Sequence, residues 1–242
     1  MLAKRRHIVI GMGEVGQAIE EVLEDHSDNI VRCADKSWSE AEARERFDAA
    51  HICFPWSLDF DYWVEEWIAR VPADLVIVHS TVPVGTCDVM DVVHSPVSGK
   101  HPHLAQGVRT FVKYFGGRRA REAAVIFAEV GCTTHCYPLA KITEAMKIWA
   151  TTQYGLQIMI EKEVAEWCCR NGVPFEEVYT RANKDYSHGY EQLQEPRFRL
   201  PYLKHIPGPV GGHCVIPNLD FLPDSFLAQL LKQKNKGWYN EQ

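Results

Sequence analysis

The sequence predicts an α/β protein in which a domain built on a parallel sheet is followed by a smaller all-α domain with one long central helix. Three observations support this prediction. A short β-branched strand, residues 5–10, leads into a glycine-rich turn and then a helical pattern. Strand and helix patterns alternate as far as residue 137, which is typical of parallel strands joined by helical crossovers. Apolar residues then recur at helical spacing over residues 139–171.

The glycine-rich turn has the spacing Gly-x-Gly-x-x-Gly between a strand and a helix. This context is typical of a Rossmann-type dinucleotide site. The first glycine permits the tight turn, the second lets a pyrophosphate approach the backbone, and the third lets the helix pack on its strand. The helix N-terminus then faces the phosphates. We therefore expect the whole turn to contact the cofactor, namely Gly11, Met12, Gly13, Glu14, Val15 and Gly16.

The second predicted strand, residues 30–34, ends at Asp35. A carboxylate about 20 residues after the glycine turn is expected to bind both ribose hydroxyls of NAD. The sequence therefore predicts NAD rather than NADP as the cofactor. Lys36 follows directly, and we count it among the cofactor-binding residues although its charge slightly weakens the preference for NAD.

Other candidate residues follow later strands, at the sheet edge where ligands bind in folds of this kind. Pro55, Ser80 and Thr81 are predicted cofactor contacts that follow the strands 50–54 and 75–79. Thr81 is expected to border the nicotinamide and is also a candidate catalytic residue; the alternative is a turn that only ends the strand. Ser98 and Gly99, after the strand 91–94, are candidate substrate contacts.

Composition indicates an ordinary globular protein. The 242 residues are 46% hydrophobic and 24% charged, and a formal charge of -6 argues against a nucleic-acid surface. We expect no signal peptide, no membrane span and a cytoplasmic location. The eight cysteines lack paired or zinc-ribbon spacing, which fits reduced thiols, and no metal site is predicted.

The long predicted helix separates two domains, residues 1–138 and 139–242. A helix of 33 residues is about 50 Å long, which exceeds the width of a small domain. Helices of this length usually span two domains or form a dimer seam, so we predict a homodimer through residues 139–171.

Cys214 lies in a second distinctive segment, residues 207–218, which is rich in proline and glycine. This composition predicts a rigid loop rather than a helix or strand interior. Two interpretations stay open from the residues alone: a buried structural thiol, the common fate of a free cysteine, or a thiol placed for chemistry.

Two segments carry a resemblance to a known family. Residues 80–86 (Ser-Thr-Val-Pro-Val-Gly-Thr) and 211–217 (Gly-Gly-His-Cys-Val-Ile-Pro) resemble signatures of the UDP-glucose/GDP-mannose, or nucleotide-sugar, dehydrogenase family. The resemblance implies a Rossmann domain followed by a helical dimerisation domain. The family's third domain, which binds the sugar nucleotide, has no counterpart, so we expect a short form. Residues 95–99 are closer to the Pro-Val-Ser-Gly segment of the β-hydroxyacid dehydrogenases.

The family's chemistry is a four-electron oxidation of a primary alcohol to a carboxylate with two NAD. By this resemblance Lys141 assists the first hydride transfer, and Cys214 attacks the aldehyde to give a thioester that water hydrolyses. Gly212 and Asn218 are candidate substrate contacts in the same loop. For Lys141 the alternative is a solvated residue in the first helical turn.

Three departures from the family pattern bear on the hydrolytic step. Ala145 stands where the family has Asn, and Asn218 stands where it has Asp and cannot act as a general base. The family's glutamate has no clear match. Asp220, Glu144 and His103 are possible substitutes.

Without the third domain, substrate contacts must come from a dimer partner or from residues 184–204. Arg197 and Arg199 there are candidate phosphate ligands, or else solvated side chains beside packing aromatics. Three functions follow: oxidation of a sugar or nucleotide-sugar alcohol, a two-electron β-hydroxyacid-type dehydrogenase or reductase, and a catalytically silent NAD-binding partner protein.

Overall fold

A computed structural model describes residues 4–35, 45–100, 102–212 and 214–240. The chain divides into two compact units, unit 1 (Met1–Lys147) and unit 2 (Ile148–Gln242), and the division falls inside one long helix. The strands of unit 1 are β1 (Arg6–Ile10), β2 (Ile30–Ala34), β3 (Phe47–Ile52), β4 (Ala73–Val78), β5 (Val93–His94), β6 (Lys113–Gly116) and β7 (Thr134–Tyr137). Its helices are α1 (Glu14–Leu23), α2 (Phe60–Arg70), α3 (Thr86–Val89), α4 (Leu104–Thr110), α5 (Ala120–Glu129) and the start of α6 (Ala140–Asn171).

The strands form one sheet in the order β2-β1-β3-β4-β5-β6-β7. All neighbouring pairs are parallel except β5 and β6, which are antiparallel through His94 and Gly116. The sheet is thus mostly parallel, as predicted, and departs from the prediction at this pair. The connecting helix α4 packs against α1 rather than returning along the sheet, so the chain re-enters at the edge it left. The predicted α/β fold class is otherwise confirmed.

Strand order reverses at β1. β2 and β3 lie on opposite sides of β1, and Ile10 pairs with both Ala34 and Ile52, so the three strands end level. Ligands of open α/β sheets bind beyond the carboxyl ends of the strands at such a reversal. The fold therefore places the glycine turn, Asp35 and the segment after β3 around one crevice.

Apolar cores cover both faces of the sheet. One contains Val9, Ile77 and Phe115 with α1, α4 and α5, and Phe127 of α5 is fully buried there. The other contains Ile8 and residues of α2, α3 and the first turn of α6. Their alternation along β1 follows from the two-residue period of a strand, and burial on both faces explains why the strand is continuously apolar from residue 8.

Two carboxylates, one on α3 and one on α6, each accept hydrogen bonds from backbone N–H groups at the start of the other helix. Asp88 of α3 accepts hydrogen bonds from the backbone N–H groups of Ala140 (2.7 Å) and Lys141 (3.0 Å), at the start of α6. Glu144 of α6 accepts bonds in return from Gly85 (2.5 Å) and Cys87 (2.8 Å), at the start of α3. Each carboxylate satisfies N–H groups that a helix N-terminus leaves without intrahelical partners.

Unit 2 consists of the rest of α6, a π-helical segment (Glu176–Arg181) that continues into α7 (Ala182–Gln192), two short 3₁₀ turns and α8 (Phe226–Asn240). Its core joins Val210, Val215 and Leu219 to Leu231 of α8. Gly155 of α6 permits this packing, because a Cβ there would lie 2.6 Å from both Val215 and Leu231. No helix within the described ranges combines the length and apolar character required to cross a bilayer.

We predict that Asp88→Ala lowers the free energy of unfolding by about 1–2 kcal/mol, because two N–H groups of α6 lose their acceptor. Urea denaturation of the whole chain measures the change. Asp59→Ala is the matched control: Asp59 precedes α2 but makes no side-chain capping bond, so the loss there should stay below about 0.5 kcal/mol. Equal losses in the two variants would contradict the capping role of Asp88.

Candidate active site

The glycine turn after β1 is closed by backbone contacts that exclude side chains. Gly11 has a φ of 93°, and a Cβ on it would lie 2.7 Å from the backbone N of Phe54. A Cβ on Gly16 would lie 2.0 Å from the carbonyl oxygen of Gly11. Both positions therefore require glycine if α1 is to begin directly against the end of β1.

Gly13 has a different role, because no heavy atom lies within 4 Å of the position that its Cβ would take. It precedes α1 and provides no side-chain cap for the helix. The backbone at Gly13 is therefore accessible, and the partial positive charge of a helix N-terminus suits a phosphate group. Met12 and Val15 turn towards the core of unit 1, while Glu14 is exposed.

Asp35 is exposed directly after β2, where the carbonyl of Ala34 accepts a hydrogen bond from Gly11 (2.8 Å). That bond holds the end of β2 against the glycine turn, so Asp35 borders the same crevice. Lys36, also predicted to bind the cofactor, lies outside the described residues.

The segments after β3 and β4 are also tied together. The buried Ser80 donates from Oγ to the carbonyl of Phe54 (2.6 Å), whose backbone already faces Gly11. Pro55 is exposed beside it, and Thr81 is half-buried. His94 of β5 donates from Nε2 to the carbonyl of Ser80 (3.2 Å) and so fixes the backbone next to Thr81. Unit 1 thus brings the glycine turn, Asp35, Pro55, Ser80 and Thr81 to one edge of the sheet.

Two lysines near the start of α6 differ in their surroundings. Lys141, the candidate from the sequence, is exposed in the first turn, and its backbone N–H is the group capped by Asp88. Lys147 donates from Nζ to the carbonyl of Val97 (2.9 Å), at the carboxyl edge of the sheet. Lys147 was not predicted from the sequence. A signal was available, because Thr143, Lys147 and Thr151 are polar residues at a spacing of four along one helix.

Ser98 and Gly99 follow Val97 and are exposed. Gly99 has a φ of 125°, and its backbone lies against Gly107 of α4. A Cβ on Gly107 would lie 2.6 Å from the carbonyl of Ser98. The pair is therefore held in place by α4, one residue beyond the carbonyl that Lys147 binds.

Cys214, in unit 2, is exposed. On one side of it, Val210 donates its backbone N–H to Asn235 Oδ1 of α8 (2.6 Å), and on the other side Val215 is buried against Gly155. The exposed thiol therefore projects from a loop that is anchored at both ends. The interpretation of Cys214 as a buried structural thiol was wrong.

Asn218 is buried four residues after Cys214 and donates from Nδ2 to Thr151 Oγ1 of α6 (3.3 Å). Gly212 is exposed with a φ of 84°. Ala145, the other departure from the family pattern, is half-buried.

Three residues were candidate substitutes for the missing base. The carboxylate of Glu144 accepts hydrogen bonds from the backbone N–H groups of Gly85 and Cys87, and Asp220 forms an ion pair with Lys232. His103 is exposed directly before α4.

Glu144 has a buried carboxyl group. Burial raises its pKa above the ordinary value, while the N–H donors of Cys87 and Gly85 oppose that change by favouring the charged form. The group serves the backbone of α3, and its contacts do not leave it open towards a substrate.

The candidate phosphate ligands of unit 2 are paired within the chain. Arg197 contacts Glu195 (2.9 Å) and lies over the ring of Phe198, and Arg199 contacts Glu191 (3.2 Å). Arg199 also lines a cavity of about 530 Å³ together with Lys184, Ser187, His188 and Tyr202. Within the described residues, no group of three or more histidine, cysteine, aspartate or glutamate side chains is arranged to hold a metal ion.

Comparison with known proteins gives matches at the level of structure. No protein-family model matches the sequence, and no curated protein matches it. UDP-D-ManNAc dehydrogenase from Pyrococcus horikoshii superposes with a TM-score of 0.75 at 18% identity, over 96% of this chain and 68% of that one. UDP-N-acetyl-mannosamine dehydrogenase from Staphylococcus aureus gives 0.70 at 18% identity, over 96% and 68%.

A 3-hydroxyisobutyrate dehydrogenase from Mycobacterium tuberculosis, solved with L-serine, superposes with a TM-score of 0.69 at 14% identity, over 98% of this chain and 94% of that one. The chain thus matches about two thirds of the length of the nucleotide-sugar enzymes and nearly all of this shorter one. It has the nucleotide-sugar dehydrogenase-like fold that the sequence resemblance predicts.

Proposed function

We propose that the protein is an NAD-dependent oxidoreductase that oxidises a primary alcohol of a sugar or nucleotide sugar. The observation that carries the proposal is the exposed thiol of Cys214 on an anchored loop, in a chain whose other unit has an open helix N-terminus at the reversal of strand order. The dehydrogenases with similar structures support the oxidoreductase class.

NAD fits the residues present in unit 1. The backbone at Gly13 is accessible to a pyrophosphate, and the first N–H groups of α1 would hold it. Asp35 would bind the ribose hydroxyls, and Pro55, Ser80 and Thr81 would border the nicotinamide. Bound NAD supplies the acceptor for the hydride that leaves the substrate carbon.

We propose that Lys147 accepts the proton of the substrate hydroxyl group. Its ammonium group is held at the carbonyl of Val97, next to Ser98 and Gly99. A cation in that position stabilises the oxyanion that develops as the hydride leaves, and the neutral amine can accept the hydroxyl proton. Lys141 stays the alternative from the sequence, but its side chain is exposed in the first helical turn.

In the second stage, the thiolate of Cys214 forms a C–S bond to the aldehyde carbon. The resulting thiohemiacetal loses a second hydride to give a thioester, and water then breaks the C–S bond to release the carboxylate and the thiol. In sum, one alcohol, two NAD and one water give one acid, two NADH and two protons. Asn218 cannot accept a proton from that water, and its amide donates to Thr151.

A two-electron alternative is favoured by a specific observation. This chain covers 94% of the 3-hydroxyisobutyrate dehydrogenase, and the two candidate carboxylates for hydrolysis are engaged in other contacts. In that case the reaction stops after one hydride, Lys147 acts as the acid or base, and Cys214 takes no covalent part.

We also propose that two copies associate through α6. Four large apolar side chains of its unit 2 part, Trp149, Tyr154, Ile160 and Trp167, are between 39% and 55% exposed. Exposed aromatic and aliphatic side chains of this kind are typical of a protein interface.

The number of NADH formed per substrate tests the thioester proposal. The protein is incubated with excess NAD and limiting UDP-sugars, GDP-mannose or 3-hydroxy acids, and NADH is counted from its absorbance. We expect two NADH per nucleotide sugar, because oxidation proceeds from alcohol to acid. Cys214→Ala should yield one NADH or none, because the aldehyde finds no nucleophile.

Cys169→Ala is the matched control for this experiment, since Cys169 is an exposed cysteine of unit 2 that lies on α6. It should keep the count of two. One NADH per substrate in both the parent protein and Cys214→Ala would exclude the thioester and favour the two-electron reaction.

Lys147→Met and Lys141→Met form a second matched pair. We expect Lys147→Met to lower kcat/KM by about 100-fold or more, the usual contribution of a positioned acid or base. Lys141→Met should change it less than about threefold. Initial rates with saturating NAD measure both. The reverse ranking would assign the proton to Lys141.

A further inference from the structure

Four buried polar side chains form a row through one core of unit 1. They are His7 of β1, His51 of β3, His79 directly after β4, and Lys113 of β6. Their exposed fractions are 0%, 0%, 2% and 3%. The row crosses the sheet diagonally, from the amino end of β1 to the carboxyl edge beyond β5.

Each member of the row lies within hydrogen-bonding reach of the next. His7 Nδ1 is 3.2 Å from His51 Nε2, and His51 Nδ1 is 3.0 Å from His79 Nε2. His79 Nδ1 is 3.4 Å from Lys113 Nζ. His79 Nδ1 and Lys113 Nζ also share the carbonyl of Ser95, at 2.8 and 3.2 Å, and Lys113 donates to the carbonyl of Pro96 at 3.3 Å.

The direction of these contacts allows two proton arrangements. A carbonyl oxygen only accepts, so with a neutral Lys113 the Nδ1 of His79 carries a proton and its Nε2 accepts. The same orientation then propagates through His51 to His7, and all three rings are Nδ1–H tautomers. With a charged Lys113, the ammonium group bridges the Ser95 carbonyl and His79 Nδ1, and all three rings become Nε2–H tautomers. The His79 bond to Ser95 is then lost, and the 2.8 Å contact between these two acceptors must lengthen.

A positive charge is less favourable on the three imidazole rings than on the amine of Lys113. Burial lowers the pKa of His7 to about 4 and that of Lys113 to about 7, and it holds His51 and His79 well below the ordinary histidine value. At neutral pH, a proton that enters the row therefore comes to rest on the lysine.

Some of the groups that face the row raise the pKa of its members, and others lower it. At the outer end, Asn29 and Asp48 raise the pKa of His7 and Arg5 lowers it. Around Lys113, the thiols of Cys53 and Cys132 raise its pKa and the charge of Lys147 lowers it. His94 and Lys113 also lower the pKa of His79, and Phe127 of α5 packs against the rings of His51 and His79.

We propose that His7, His51 and His79 relay a proton between the amino end of β1 and the buried amine of Lys113. His7 Nε2 is buried and has no hydrogen-bond partner among the described residues, so a proton enters there when the amino end of β1 opens to water. A proton bound at this atom displaces the Nδ1 proton to His51 Nε2, and the same exchange occurs from His51 to His79. The Nδ1 proton of His79 then passes to the lone pair of Lys113. Each ring gains one proton and loses one, so no ring remains charged. Release follows the same steps in reverse.

The relay ends at the segment that carries the candidate site. Lys113 binds the carbonyls of Ser95 and Pro96, and Lys147 binds the next carbonyl, that of Val97. Oxidation of an alcohol releases one proton with each hydride, and Lys113 is a proton acceptor in this segment. This use of the relay rests on the proposed function, whereas the relay itself does not.

Nuclear magnetic resonance of the whole protein tests the relay without substrate. ¹⁵N shifts of labelled histidine report the tautomer of each ring, and the ¹³Cε shift of Lys113 reports its charge. As the pH falls through the Lys113 midpoint, near 7, we expect the three rings to change together from Nδ1–H to Nε2–H. His94, which is buried outside the row, should keep one tautomer.

The relay is overturned if any ring of the row keeps its tautomer while Lys113 titrates, or becomes imidazolium in that range, or if Lys113 stays charged up to pH 9. His51→Phe should uncouple His7 from Lys113, and Lys113→Met should leave all three tautomers independent of pH. Should either variant not fold, the titration of the unmodified protein still decides the outcome. A positive titration in a protein that oxidises no alcohol would retain the relay and reject the proposed function.

Discussion

The contact between Gly16 and the carbonyl oxygen of Gly11 is the constraint on which the candidate site depends. A side-chain carbon at residue 16 would lie 2.0 Å from that oxygen, so α1 begins against β1 only because the carbon is absent. The N-terminus of α1 is thereby directed past the end of the sheet. Gly11 meets Phe54 in the same way, and the carbonyl of Phe54 in turn holds Ser80. These contacts thus position the ends of β1, β3 and β4 relative to the glycine turn.

Reciprocal hydrogen bonds from two carboxylates position α3 and α6 in unit 1. Asp88 and Glu144 each serve the N-terminus of the helix that carries the other, so α3 and α6 are positioned together. This arrangement sets where α6 starts and therefore where Lys147 meets the carbonyl of Val97. A helix pair held by charge-assisted bonds to backbone N–H groups loses little side-chain freedom on formation, since both carboxylates are short or buried.

Features that depend on local geometry could be predicted from the sequence. The glycine turn, Asp35 and the long helix follow from backbone permissiveness, strand ends and helical periodicity, and the Cys214 loop follows from its prolines and glycines. Features that arise from residues far apart in the chain could not be predicted. They include the antiparallel β6, the Asp88 cap and the histidine row, whose members at 7, 51, 79 and 113 have no spacing in common. The exposure of Cys214 also required the structure, because composition left burial and chemistry equally open.

Calorimetric titration with NAD and with NADP tests most directly whether unit 1 is a dinucleotide site selected by Asp35. We expect NAD to bind at least tenfold more tightly than NADP, because a 2′-phosphate would face the Asp35 carboxylate. Gly13→Ala should weaken NAD binding without changing stability, since its Cβ meets only open space. The control is Gly189→Ala in α7, where a Cβ also meets only open space, and it should leave binding unchanged. Tighter binding of NADP, or NAD affinity that is indifferent to Gly13→Ala, would contradict the account.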